Sequence, residues 1–172
     1  MKKSRKVLLV YGVWMLVILT GVLPSCSAGR KIQQPATAAE LSQSIRDDQW
    51  VFVADQMFPQ YGRSRQITGV YEVNVHGDTA DVYLPYVGRS YTPDIAGVRG
   101  PLDFSSYESA LQKTEEKNDS WQVTLKPKDQ KEVQTMTFTF YSNGTASLDV
   151  VMSNRSSISF RGTVQPRNVK KA

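Results

Sequence analysis

Val133-Gln134-Thr135-Met136-Thr137-Phe138-Thr139-Phe140-Tyr141, followed by Ser142-Asn143-Gly144 and then Thr145-Ala146-Ser147-Leu148-Asp149-Val150-Val151-Met152, reads as a complete β-hairpin. Side chains alternate across a strand with period two. Met136, Phe138 and Phe140 therefore share one face, and Thr137, Thr139 and Tyr141 share the other. Ala146, Leu148 and Val150 repeat the pattern after the turn. Asn-Gly between two alternating runs is a strong hairpin signal, because the favoured two-residue turn needs positive φ at both central positions. A turn at Ser153-Asn154 then leads into Ser156–Val164, with Ile158, Phe160 and Val164 in phase. Upstream, Val123 and Leu125 alternate with Gln122 and Thr124 in a strand over Trp121–Lys126.

The first half of the chain has the same grammar. From Trp50, Phe52 and Ala54 point one way while Val51, Val53 and Asp55 point the other. Gln66–His76 alternates again, and Gly77-Asp78 turns it into Thr79–Tyr86. Leu102–Leu111 is a weaker strand. Before all of these, Thr37-Ala38-Ala39-Glu40 matches the helix capping box. Leu41 and Ile45 then lie one turn apart, so a short helix ending near Asp47 or Asp48 needs a surface to pack on. About eight mostly consecutive strands imply an all-β, antiparallel up-and-down meander. A meander exposes two edges unless it curls and closes. The expectation is a lipocalin-like barrel or half-open clam with the helix over one end. A two-sheet β-sandwich is the alternative.

The N-terminus has a different character. Lys2, Lys3, Arg5 and Lys6 precede a 17-residue apolar run, Val7–Leu23, and then Leu23-Pro24-Ser25-Cys26. A basic head, an apolar stretch and a small residue before the cut form a secretory signal. The leucine three positions before a cysteine resembles a lipobox, although Pro24 is unusual there. The run is slightly shorter than the ~20 residues of a spanning helix. The expected organisation is a lipoprotein signal peptide over 1–25, a flexible tether over 26–36, one β domain over 37–165 and a basic tail over 166–172. Cleavage changes the charge. The chain carries 21 Lys+Arg against 16 Asp+Glu, and loss of the four head cations leaves 17 against 16, or +1. The excess that might suggest nucleic acid belongs to the discarded segment. Cys26 is the only cysteine, so an internal disulfide is excluded, and lipidation is its expected role.

The segment Pro85–Pro101 is 17 residues with three glycines and three prolines. A loop of that length is commonly functional or self-packed. As a ligand site it offers Tyr86 and Tyr91 for stacking, and Arg89, Arg99 and the more distant Arg155 to grip a carboxylate, phosphate or hydroxyl, with Asp94 beside them. As a self-packed loop, its tyrosines fill space, its glycines take positive φ, and Arg89 pairs with Asp94 or Asp103. Arg161 could add charge at the same end, or be an ordinary exposed strand residue. No catalytic constellation is visible: the only histidine, His76, borders the Gly77-Asp78 turn, and no carboxylate pair or metal-ligand cluster is spaced for chemistry. No cofactor is expected.

Tyr83-Leu84-Pro85-Tyr86-Val87-Gly88-Arg89-Ser90-Tyr91 resembles the hallmark Leu-Pro-Tyr-Phe-Gly-Arg of an uncharacterised lipoprotein family of Bacteroides-type bacteria, the domain of unknown function numbered 4251. Further elements agree in order: Phe52-Val53-Ala54 before Pro59, Gly77-Asp78, Pro101-Leu102-Asp103-Phe104, Asn143-Gly144-Thr145-Ala146, Asn154-Arg155 and Ile158-Ser159-Phe160-Arg161-Gly162. The likeness spans roughly Trp50 to Val164, with Val87 in place of the usual aromatic. It implies an envelope lipoprotein with a mostly β fold, and it brings no activity or catalytic residue.

The functional expectation is therefore a membrane-tethered envelope lipoprotein acting as a non-catalytic binding module for a small or lipid-like ligand. An apolar cavity open beneath the long loop would support this binding module, and a solidly packed interior would sink it. The alternative is a structural or assembly lipoprotein that contacts another envelope protein. Ser27-Ala28-Gly29-Arg30-Lys31 lacks the acidic residues that resemble a surface-export signal, which favours outer-membrane attachment facing the periplasm.

Overall fold

The computed structural model describes residues 37–91, 100–116 and 120–167. One helix, α1 (Ala38–Arg46), precedes ten strand segments: β1 (Gln49–Pro59), β2 (Arg65–Gln66), β3 (Glu72–His76), β4 (Thr79–Tyr83), β5 (Asp103–Ser106), β6 (Ser109–Glu116), β7 (Ser120–Pro127), β8 (Val133–Tyr141), β9 (Thr145–Met152) and β10 (Ile158–Pro166). All pairings are antiparallel, in the order β5-β4-β3-β1-β10-β9-β8-β7-β6, with β2 also on β1.

The ten segments amount to eight strands. Both β2 and β3 run antiparallel to β1, against Gln56–Met57 and Gln49–Val53 respectively. They are two parts of the single expected strand over Gln66–His76, interrupted where Gly69 takes φ 135°. Similarly, tracing the pairings both ways round from β1 leaves β5 and β6 pointing in the same direction. They are the two halves of the strand expected over Leu102–Leu111, bent at Tyr107-Glu108. The first half pairs β4 and the second half pairs β7. This one bent strand thus joins the two ends of the sheet, and an up-and-down barrel results rather than a sandwich.

The interior follows the alternation. Trp50, Phe52, Val73, Val75, Val123, Leu125, Met136, Phe138, Phe140, Leu148 and Phe160 are each fully buried. Trp50 meets Phe138 and Phe140 edge-on, both at 4.9 Å between ring centroids, and Phe52 meets Phe138 at 5.7 Å. An eight-stranded barrel holds either its own side chains or one small ligand. Among the described residues the barrel is filled by these rings, so the candidate binding surface lies at an end instead.

One end is closed by α1. Its capping box is present: the Thr37 N–H donates to Glu40 Oε2 (2.9 Å) and the Glu40 N–H donates to Thr37 Oγ1 (3.3 Å). Leu41 and Ile45 join the core. Lys113 of β6 donates to the Arg46 carbonyl (2.7 Å) and to Asp48 Oδ2 (2.8 Å), fastening the helix C-terminus across the barrel mouth. The hairpins lie at this end too. At the β8–β9 turn the expected two-residue loop is in fact three residues. Asn143 does not have positive φ; Gly144 (φ 82°) follows a turn closed by its own N–H on the Tyr141 carbonyl, at 2.9 Å. That is the type I turn with a glycine bulge, the next commonest hairpin solution. The opposite end carries the loops between β1 and β3, β4 and β5, β7 and β8, and β9 and β10.

Candidate functional site

The loop end is organised around one buried hydroxyl. After β4, the Leu84 N–H still donates to the Leu102 carbonyl (2.9 Å), and Pro85 turns the chain outward. Tyr86 packs its ring against the core and donates from its hydroxyl to the Ser156 carbonyl (2.9 Å), with Ser156 Oγ at 3.1 Å. The Arg89 N–H donates to the same Oγ (3.0 Å), and the Ser156 N–H donates to the Arg89 carbonyl (3.0 Å). The Tyr91 N–H then donates to the Asn154 carbonyl (2.9 Å). Residues 86–91 are thereby stitched to 154–156, and Ser156 is 1% exposed at the centre.

Gly88 is required by contact rather than by its backbone angle. A Cβ there would lie 2.3 Å from Tyr86 Oη and 2.4 Å from Ser156 Oγ, closer than real side chains approach. The hallmark glycine thus lets the loop fold down onto the serine.

Above this anchored backbone sit aromatic and cationic groups, of which Tyr61, Arg89 and Tyr91 are exposed and Arg155 is half-buried. The Arg89 guanidinium lies over the Tyr61 ring, 4.4 Å from its centroid. Tyr61 is 45% exposed and Tyr91 62% exposed, so both rings face solvent. The Tyr91 phenol is held above the usual tyrosine range by partial desolvation and by the charge and hydrogen bond of Tyr61; Arg89 opposes this. Arg155 lies 5.7 Å from the Tyr86 ring centroid, with its Nε 3.4 Å from Glu132 Oε2. Among the described residues no carboxylate pairs with Arg89.

Four of the expected site residues, Tyr86, Arg89, Tyr91 and Arg155, therefore meet at one end of the barrel. Arg89 does not pair with Asp103, which lies in β5 opposite Tyr83. Asp94 and Arg99 lie outside the described residues, as does Cys26. Arg161 is elsewhere, on the outer wall of β10 and 5.0 Å from the Phe58 ring centroid. Tyr61 and Ser156 were not singled out in the sequence. Tyr61 stands in a polar stretch without periodicity, and nothing local marks Ser156 as the buried residue of its turn. Among the described residues no three His, Cys, Asp or Glu side chains converge as metal ligands.

No curated protein matches the chain. A crystal structure of a DUF4251 family protein from Bacteroides eggerthii DSM 20697 has the same fold, with a TM-score of 0.55 over 75% of this chain and 87% of that one, at 12% identity. The model of the family described as "Domain of unknown function (DUF4251)" matches residues 33–164, nearly all of the β domain and its helix, and the chain belongs to that family.

Proposed function

We propose that this chain is an envelope lipoprotein, tethered through acyl chains on Cys26, whose barrel is a rigid non-catalytic recognition module. Its binding surface is the loop-end cluster of Tyr61, Tyr86, Arg89, Tyr91 and Arg155. One observation carries the reading: an exposed Tyr–Arg surface is pinned from below to a buried serine. Tyrosine and arginine give large contact area with little loss of rotamer freedom, and anchored groups lose less entropy on binding. The filled barrel counts against the enclosed ligand expected from the sequence, and the reading therefore moves to a ligand met at the rim.

The tether follows from the leader and its lone cysteine. A single acyl chain holds a protein only marginally, so a multiply acylated N-terminus is the expected product. The outer membrane, facing the periplasm, is the proposed address. The test is to purify the mature protein from cells and identify co-purifying molecules by mass spectrometry. The Tyr61→Ala/Tyr91→Ala variant should lose the molecule; full retention by a folded variant would end the reading. Labelling with a palmitate analogue tests the tether, and label surviving Cys26→Ala would overturn it.

A second reading, assembly with another envelope protein, is favoured by the outer wall. There Tyr71 and Tyr83 stack at 5.4 Å, Tyr83 is 52% exposed and the adjoining Val70 is 71% exposed. A photo-crosslinker at position 83 that trapped no protein in cells would remove it.

A further inference from the structure

We infer that the ligand of the loop-end surface carries an oxyanion, a carboxylate or a phosphate, and that this group docks on the Arg89 guanidinium. The inference rests on reading that surface as a binding site, and it adds the chemistry of what binds.

A guanidinium carries five N–H donors in its own plane, matched to the paired oxygens of a carboxylate or phosphate. The Arg89 guanidinium carbon lies 4.4 Å from the Tyr61 ring centroid, and the residue is exposed, so its donors are open to a ligand from solvent. The residue's own N–H and carbonyl are both fixed on Ser156, so the base of the side chain does not wander. Its head has no carboxylate partner among the described residues. Arg155, at the same end, differs in having Glu132 as a partner. Arg89 is thus positioned by the described residues around it and left without a counter-charge among them. The Tyr61 and Tyr91 rings flank it and offer faces to whatever carries the anion.

Arg161 supplies the internal control. It too lies over an aromatic ring, Phe58 at 5.0 Å, but on the barrel wall and away from the stitched loops. If positive charge alone drew anions, the two arginines would behave alike.

The experiment titrates the mature protein with benzoate, phenyl phosphate and dihexanoyl phosphatidic acid, using benzyl alcohol as the neutral probe. The Tyr61 and Tyr91 ring resonances and the Arg89 Nε–H report binding by NMR. The anions are expected to give saturable shifts at these three residues, at least tenfold tighter than the alcohol. Arg89→Lys keeps the charge but loses the fork and the stack, so anion affinity should fall about tenfold or more, while Arg161→Ala leaves it unchanged. Tighter binding of the phosphatidic acid than of phenyl phosphate assigns a lipid headgroup, and equal binding assigns a small-molecule anion. Equal binding of the alcohol, or anion binding that Arg161→Ala weakens as much as Arg89→Lys, overturns the inference. In those cases the surface reading stands on its own test, loss of the cell-derived molecule in Tyr61→Ala/Tyr91→Ala.

Discussion

Ser156 and Gly88 show how little sequence is needed to hold the loop end. The Ser156 hydroxyl is buried, yet it accepts the Arg89 N–H and lies at hydrogen-bond distance from the Tyr86 hydroxyl. Ser156→Ala would strip the Arg89 N–H of its side-chain acceptor in a part-buried place. Such a loss costs about 1–3 kcal/mol. Gly88→Ala should cost a similar ~1–3 kcal/mol by overpacking, because the added methyl meets two oxygens at once. Denaturant midpoints would check both, and a Gly88→Ala protein as stable as the parent would show that the loop has room. The sequence made Gly88 look like a residue for positive φ, but its φ is not positive. Its necessity comes from Ser156, 68 positions away, and no local pattern carries that information. The family hallmark drew attention to the right glycine; the reason for it needed the fold.

At the scale of elements, periodicity was a good guide wherever an element had one dry face. β8 and β9 match their sequence runs residue for residue, and the capping box sets the start of α1. Tertiary pairing changed the others. Leu102–Leu111 reads as one weak strand, and it is one strand in direction, but its halves serve different neighbours. The bend is held by Asp129 in the β7–β8 loop. Ser106 Oγ donates to Asp129 Oδ1 (2.5 Å), the Tyr107 N–H donates to Oδ2 (2.9 Å), and Ser109 Oγ donates to Ser106 Oγ (2.9 Å). The Ser106 hydroxyl first, and then the Tyr107 N–H, hold the Asp129 carboxyl below the usual aspartate range. A carboxylate with a depressed folded pKa contributes stability that is complete above its unfolded pKa and is lost as pH falls through the folded value. Asp129→Asn is therefore expected to lower stability at pH 7. The gap to the parent should close on acidification below the ordinary aspartate range. Urea denaturation of both proteins at pH 7 and near pH 3 checks this, and a gap of the same size at both would assign the bend to packing alone.

The whole molecule is a ring, and rings fail together. β1 and β10, nearly at opposite ends of the β domain, form a nine-pair antiparallel contact, while the bent β5–β6 strand joins the other two edges. Neither half of the sheet can be removed without exposing the inner face of the other. The rings at the centre come from both sides: Trp50 and Phe52 from β1, Phe138 and Phe140 from β8. Two buried tryptophans, Trp50 on β1 and Trp121 on β7, report from different arcs. Trp14, the third in the chain, falls in the segment expected to be cleaved. Single-tryptophan proteins carrying Trp50→Phe or Trp121→Phe should therefore show the same guanidinium midpoint by fluorescence as by far-ultraviolet circular dichroism. Phe138→Ala opens a void at the meeting point of the rings and is expected to cost about 3–5 kcal/mol. In a closed barrel that loss moves both tryptophan reporters by the same amount, although only Trp50 touches Phe138 directly. A Phe138→Ala transition that split, with the Trp50 arc melting before the Trp121 arc, would mean that the bent strand does not couple the edges and that the barrel behaves as two sheets.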